Sequence, residues 1–171
     1  MFRVSTQADS QNYDEDQITA AKWFGNQSYI DKTRIGIFGW SFGGYMASLA
    51  MTKGADVFKM GIAVAPVTNW RYYDSVYTER FLLTPQENPE GYDDNSPTTH
   101  AKLLKGKFLL IHGTADDNVH FQNSMEFSEA LIQNKKQFDF MAYPDKNHGI
   151  YGGQTRPQLY QKMTDFILEN L

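Results

Sequence analysis

The sequence contains no cysteine, which excludes disulfide bonds, thiol nucleophiles and cysteine-ligated zinc. It also lacks a basic excess, because 16 Lys and Arg stand against 20 Asp and Glu. The net charge of −4, without a basic run, argues against nucleic acid as a partner. No apolar run approaches the roughly 18 residues of a membrane-spanning helix, and no charged-then-apolar leader opens the chain. No membrane segment is therefore expected in this chain.

What is present is enough apolar material for one folded domain, since 41% of the 171 residues are hydrophobic and 15% are aromatic. Residues 1–12 are polar and predict a loop-like or disordered start, and residues 13–171 predict one α/β domain. Short apolar runs alternate with amphipathic stretches, a pattern typical of a parallel sheet flanked by helices. The predicted strands cover 35–38, 60–64, 107–111 and 138–143; the predicted helices cover 14–25, 45–51, 72–83, 121–134 and 157–171; a surface loop is predicted over 84–98.

The first strand and the helix after it are joined by Gly39-Trp40-Ser41-Phe42-Gly43, a Gly-x-Ser-x-Gly motif. A strand that turns directly into a helix forces the central serine into a strained backbone conformation, and glycines leave room for that turn. The serine then lies at a helix N-terminus. There the backbone N–H of Phe42 can donate to a developing oxyanion. The motif predicts a nucleophilic serine at Ser41.

Acidic and imidazole side chains follow the third and fourth predicted strands, where parallel α/β sheets place their ligands. Asp116 and Asp117 come after the third strand, and His148 comes after the fourth. A serine hydroxyl needs an imidazole to take its proton and a carboxylate to orient that imidazole. The order Ser, Asp, His is that of the α/β-hydrolases. Spacing alone does not choose between the two aspartates.

For the other three histidines, the sequence favours structural or solvent-exposed roles. His112 ends a buried strand and is expected to be a hydrogen-bonded core residue, His100 to be solvated, and His120 to be polar or to support the site. An alternative is a divalent-metal site formed by Asp116, Asp117, His120 and His148. That alternative leaves the glycine-serine motif unexplained, so neither a metal nor another cofactor is predicted.

Four further segments carry distinctive residues: Ala65-Pro66-Val67, YYDSVYTER (72–80), IHGTADDNVHF (111–121) and Asn147-His148-Gly149. Together with the serine motif, they resemble the dipeptidyl peptidase IV branch of the prolyl oligopeptidase (S9) family of serine peptidases. The similarity runs from about Tyr13 to the last residue. The tyrosine-rich and Asp-Asp-Asn-Val-His segments are the most specific.

The resemblance implies roles for individual residues. Ser41 would be the nucleophile, Asp116 the acid and His148 the base, with the Phe42 amide as an oxyanion donor. Asn118 would hydrogen-bond a substrate carbonyl. Val67, Trp70, Tyr73, Tyr77 and Val119 would wall a pocket for a proline ring. The implied activity is cleavage after a penultimate proline through an acyl-enzyme.

The resemblance also implies that this chain is the C-terminal half of an α/β-hydrolase domain. In the family, a β-propeller, a second oxyanion donor and the acidic residues that hold the substrate amine lie upstream. The isolated chain is therefore expected to be weak or inactive, and its first strand to be an exposed edge that favours self-association. Alternative hypotheses for the function are an oligopeptidase or acylaminoacyl peptidase, an esterase, or a non-catalytic interaction module. The compartment stays undetermined, although relatives are often secreted, periplasmic or membrane-tethered.

Overall fold

A computed structural model describes the backbone of residues 10–171 and the side chains of residues 15–171. Of the loop predicted over residues 1–12, residues 1–9 lie outside the described residues, and residues 10–12 are helical instead, because the first helix begins at Ser10. The helices are α1 (Ser10–Gly25), α2 (Phe42–Thr52), α3 (Ser75–Leu82), α4 (Pro89–Asp94), α5 (Gln122–Gln133) and α6 (Thr155–Asn170). The strands are β1 (Gly36–Trp40), β2 (Met60–Val64), β3 (Lys107–Gly113) and β4 (Asp139–Tyr143), and short 3-10 helices cover Trp70–Tyr72 and Ala101–Leu103. None of the described helices is long and apolar enough to cross a bilayer.

The four strands form one sheet in the order β1-β2-β3-β4, and every neighbouring pair is parallel. Parallel neighbours require a crossover segment, which α2 supplies between β1 and β2 and α5 supplies between β3 and β4. The predicted α/β class with a parallel sheet is confirmed. All carboxyl ends meet at one edge, so the loops after β1, β3 and β4 converge there.

Apolar side chains cover both faces of the sheet, as the period of two along a strand dictates. Phe108 and Leu110 of β3 pack with Phe127 and Leu131 of α5 on one face. Leu109 and Ile111 face the opposite way and pack in a second cluster with Leu159 of α6. This double burial fixes the strand register, and with it the positions of the loops at the carboxyl edge.

Two further predicted elements differ from the structure. The predicted surface loop over 84–98 contains α4, and Tyr92 within it is 1% exposed. The Asn88 side chain accepts from the Gly91 amide at 3.1 Å, and Pro89 occupies the first turn, where its missing N–H costs nothing. The helix predicted over 72–83 begins only at Ser75, because the Asp74 carboxylate caps it by accepting from the Tyr77 amide at 2.8 Å.

Candidate active site

Ser41 lies on a sharp corner between β1 and α2, with φ 60° and ψ −120°. A positive φ is rare for a residue with a Cβ, so the surroundings must hold this strained conformation. Its amide donates to the Val64 carbonyl at 2.8 Å, and its carbonyl accepts from the Tyr45 amide at 2.9 Å. A Cβ at Gly39 would lie 1.9 Å from the Gly43 carbonyl oxygen. Strand and helix can therefore approach this closely only because Gly39 has no side chain.

Phe42 is the first residue of α2. Amides in the first turn of a helix have no acceptor within the helix, and the helix dipole places positive charge there. The predicted oxyanion donor therefore lies directly after the serine, on a rigid element. The Phe42 side chain is exposed and contacts the ring of Trp70 at 6.1 Å between centroids.

Asp116 is buried, and four donors converge on its carboxylate. Oδ1 accepts from the amides of Asn118 and Val119, both at 3.0 Å. Oδ2 accepts from His148 Nδ1 at 2.7 Å and from His112 Nε2 at 3.2 Å. Burial raises the pKa of Asp116, but the hydrogen bonds from both histidines and the backbone outweigh it and hold that pKa well below its usual range. The carboxylate is therefore ionised at neutral pH.

The neighbouring carboxylate, Asp117, is exposed and is not among the partners of His148. Spacing in the sequence left both aspartates as candidates for the acid, and the resemblance pointed to Asp116. In the structure, it is Asp116 that makes the hydrogen bond to His148.

The histidine loop after β4 is tied to the aspartate loop after β3. The Thr114 amide donates to the Tyr143 carbonyl at 2.9 Å, and the Ala115 amide donates to the Lys146 carbonyl at 3.0 Å. A Cβ at Gly113 would lie 2.2 Å from the Lys146 carbonyl oxygen, so glycine permits this close approach. The short backbone link sets the distance between Asp116 and His148.

Ser41 and His148 are connected through the residue before the serine. Trp40 Nε1 donates to the His148 carbonyl at 3.0 Å, which joins the end of β1 to the histidine loop. Among the described residues, no hydrogen bond joins the Ser41 hydroxyl to the His148 ring. Such contacts are often long in the absence of substrate and shorten when it binds.

The aromatic residues predicted to bind proline form one cluster beside the serine. Trp70 stacks on Tyr77, with centroids 6.0 Å apart and planes inclined by 22°. Tyr73 meets both rings edge-on, at 6.0 Å from Trp70 and 5.5 Å from Tyr77. Val67 and Val119 are buried at the base of the cluster, at 2% and 0% exposure. The exposed faces belong to the tyrosines.

Asn118, the last of the predicted binding residues, contacts the aromatic cluster: its Oδ1 accepts from the Tyr73 hydroxyl at 2.8 Å. Burial, followed by the negative charge of nearby Asp74, raises the pKa of Tyr73, so that hydroxyl is protonated and can donate. A cavity of about 620 Å³ opens beside this pair, within the size range of small-ligand sites. It is lined by Arg71, Tyr72, Tyr73, Asp74, Asp117, Asn118, His120 and Gln122.

Sequence reasoning missed two contacts made by the start of α5. His112 is fully buried and hydrogen-bonded, as predicted, but its partners include Asp116 and Ser124. Asn123, also buried, accepts from the Thr68 amide at 2.9 Å and so holds the loop that begins the aromatic cluster. The sequence carried no periodic signal for the first contact, because His112 lies in a strand and Ser124 lies in a helix.

The other histidines lie outside this arrangement. His100, predicted to be solvated, is partly buried and donates to the Asp94 carbonyl at 2.8 Å. His120 is exposed at the rim of the cavity. Within residues 10–171, no group of three or more His, Asp or Glu is arranged to hold a metal ion.

Comparison with known proteins gives one consistent group. The model of the prolyl oligopeptidase family matches residues 3–171. Mouse prolyl endopeptidase FAP and cat dipeptidyl peptidase 4 are each 49% identical over 156 residues, which is 90% of this chain and 20% of each relative. The crystal structure of Porphyromonas gingivalis dipeptidyl peptidase 4 superimposes with a TM-score of 0.93 at 51% identity, over 95% of this chain and 23% of that one. The resemblance is confirmed, and the chain spans about a fifth of the length of these curated relatives.

Proposed function

Because this chain belongs to the prolyl oligopeptidase family, we propose that it carries the nucleophile, acid and base of a serine-type dipeptidyl peptidase. The observation that carries the proposal is the 2.7 Å hydrogen bond from His148 Nδ1 to the buried, ionised Asp116. A carboxylate in that position fixes the imidazole with its proton on Nδ1, which leaves Nε2 able to accept a proton.

In the proposed first step, Ser41 Oγ attacks the scissile carbonyl carbon while His148 Nε2 takes the hydroxyl proton. The carbonyl oxygen gains negative charge, and the Phe42 amide donates to it. The tetrahedral intermediate then collapses, the peptide C–N bond breaks, and His148 returns the proton to the leaving amine. The product is an acyl-enzyme on Ser41. Water, deprotonated by the same histidine, releases the acid and restores the hydroxyl.

The proposed substrates are peptides with proline in the second position. A proline ring is flat and apolar and has no N–H to satisfy, so the aromatic surface that Tyr73 and Tyr77 present suits it. Asn118 holds its side-chain oxygen toward Tyr73, which leaves the amide N–H₂ to donate to a substrate carbonyl. No cofactor enters this scheme.

The test is incubation of the 171-residue chain with a fluorophosphonate, followed by intact-mass measurement beside the variant Ser41→Ala. This reagent requires an activated serine but no recognition of a substrate amine. We expect one adduct, mapped to Ser41 and absent from the variant. A folded chain that forms no adduct at Ser41 would contradict an assembled triad.

A second assay separates exopeptidase from endopeptidase or esterase activity, since one relative is named an endopeptidase and another a dipeptidyl peptidase. Free-amine and N-blocked Xaa-Pro substrates with the same leaving group are incubated in parallel with the native protein, and their rates of hydrolysis are compared. We expect a strong preference for the free amine. Equal rates, or a preference for the blocked substrate, would favour the hypothesis of an endopeptidase or acylaminoacyl peptidase.

A further inference from the structure

His112 takes no part in the proposed chemistry, although its ring lies against the triad acid. The side chain is fully buried at the end of β3 and has three polar contacts. Nδ1 lies 2.7 Å from Ser124 Oγ. Nε2 lies 2.8 Å from the Val119 carbonyl oxygen and 3.2 Å from Asp116 Oδ2.

The chemistry of these partners fixes the proton on Nε2. A carbonyl oxygen and an ionised carboxylate can only accept, so the nitrogen between them must donate. On the other side, Ser124 is also fully buried, and its hydroxyl can donate to an unprotonated Nδ1. With the proton on Nε2, that N–H is shared between the Val119 carbonyl and Asp116 Oδ2, while Nδ1 accepts from Ser124. The edge-on contact with the Phe121 ring, at 5.6 Å between centroids, restricts rotation of the imidazole.

We propose that His112 is a positioning residue that acts through Asp116: its Nε2–H, oriented by Ser124, holds Oδ2 of the carboxylate in line with His148. The role in catalysis rests on the proposed function, but the hydrogen-bond geometry does not. Oδ1 is already anchored by the amides of Asn118 and Val119. Rotation of the carboxylate about that anchor would carry Oδ2 away from His148, and His112 is the second donor that opposes it.

This arrangement places two imidazoles on one oxygen, with different roles. His148 is partly exposed, whereas His112 is buried and is hydrogen-bonded to Ser124 of α5. The groups that titrate and face Asp116 are these two histidines and Tyr73, whose phenol is close enough for the Asp116 charge to act on its pKa. A donor that stays in place stabilises the carboxylate while the charge of His148 changes during the reaction.

The test combines ring-nitrogen NMR with a matched pair of variants. In the unchanged chain labelled with ¹⁵N-histidine, we expect His112 to be protonated on Nε2 and unprotonated on Nδ1. We also expect the Nδ1 proton of His148 to appear far downfield, as a proton in a strong bond to a carboxylate does. In His112→Gln the side-chain nitrogen reaches the position of Nε2, and in His112→Asn it reaches only that of Nδ1.

His112→Gln should keep the downfield His148 signal and a Ser41 fluorophosphonate labelling rate close to that of the unchanged chain. His112→Asn should lose the signal and label Ser41 roughly 10-fold more slowly, as expected for a lost hydrogen bond to a charged group. Circular dichroism establishes that both variants are folded. A folded His112→Asn with an unchanged signal and rate would overturn the proposal.

The tautomer measurement uses the unchanged chain, so it tests the proposal even if a variant does not fold. A proton on Nδ1 of His112 and none on Nε2 overturns the proposal. If the expected tautomer and downfield signal are found but Ser41 is not labelled, the proposed function fails while the positioning of Asp116 stands.

Discussion

Replacement of Asp116 by asparagine changes one oxygen of the carboxylate to N–H₂ and keeps the shape of the side chain. In the folded chain each carboxylate oxygen receives two donors. The amide can offer only one oxygen, so its N–H₂ must face two donors whichever way it turns. If the oxygen keeps the amides of Asn118 and Val119, the N–H₂ faces both imidazoles. His148 can then relieve the clash only by moving its proton from Nδ1 to Nε2.

That change removes the proton acceptor that Ser41 needs. The corresponding substitution in a serine-peptidase triad costs on the order of 10⁴ in kcat, because the imidazole is held in the wrong tautomer. We expect fluorophosphonate labelling of Ser41 to fall by a comparable factor. Stability should also fall, because hydrogen bonds to a charged group contribute about 1.5–3 kcal/mol each and two of them become mismatched.

The matched control is Asp117→Asn, the same chemical change one residue along the chain, at an exposed side chain that does not contact His148. Labelling rates are measured by intact mass over time for both variants, and unfolding by urea titration. Asp117→Asn should label nearly as fast as the unchanged chain. Equal labelling of both variants, or a larger loss in Asp117→Asn, would refute the assignment of Asp116 as the acid.

Three further outcomes are expected. Gly39→Ala places a Cβ 1.9 Å from the Gly43 carbonyl oxygen, so urea titration should show that the free energy of unfolding falls by at least about 1–3 kcal/mol, and unchanged stability would contradict this close approach of strand and helix. Because folding lowers the pKa of Asp116, this carboxylate stabilises the fold above about pH 4, and stability should decline as the pH falls below that value, less steeply in Asp116→Asn. Among the described residues β1 pairs with β2 alone and Phe38 is 54% exposed, so we propose self-association at this edge, weakened in Phe38→Lys; light scattering from a monomer at every concentration would exclude it.

The order of strands and helices could be predicted because the strands contain short apolar runs, while the crossover helices are apolar nearly throughout, as in α2, or apolar on one face, as in α5. The position of the site followed from the same pattern, since parallel strands bring their carboxyl ends together. Ser41, Asp116 and His148 all follow such ends in the sequence. What the pattern could not supply was the choice of Asp116 over Asp117. That choice depends on which carboxylate the loop turns inward, and here the amides of Asn118 and Val119 bind the first aspartate.

Features that depend on particular side-chain hydrogen bonds were the ones that sequence reasoning missed. Proline and asparagine in 84–98 favoured a loop, yet Asn88 and Pro89 are a cap and a first-turn residue, and they start α4. The contact between His112 and Ser124 joins a strand to a helix across the core, and no periodicity encodes which buried polar groups will meet.

The proposed acid and base and the proposed nucleophile are held by different parts of the fold. Asp116 and His148 lie on loops joined by backbone hydrogen bonds at the ends of β3 and β4, whereas Ser41 is fixed by β2 and α2. The two parts meet where Trp40 donates to the His148 carbonyl. The Asp116–His148 hydrogen bond, at 2.7 Å, orients the imidazole without any contribution from Ser41. Because Trp40 directly precedes Ser41 in the chain, its bond to the His148 carbonyl is a contact by which the fold sets the position of the histidine loop relative to the serine.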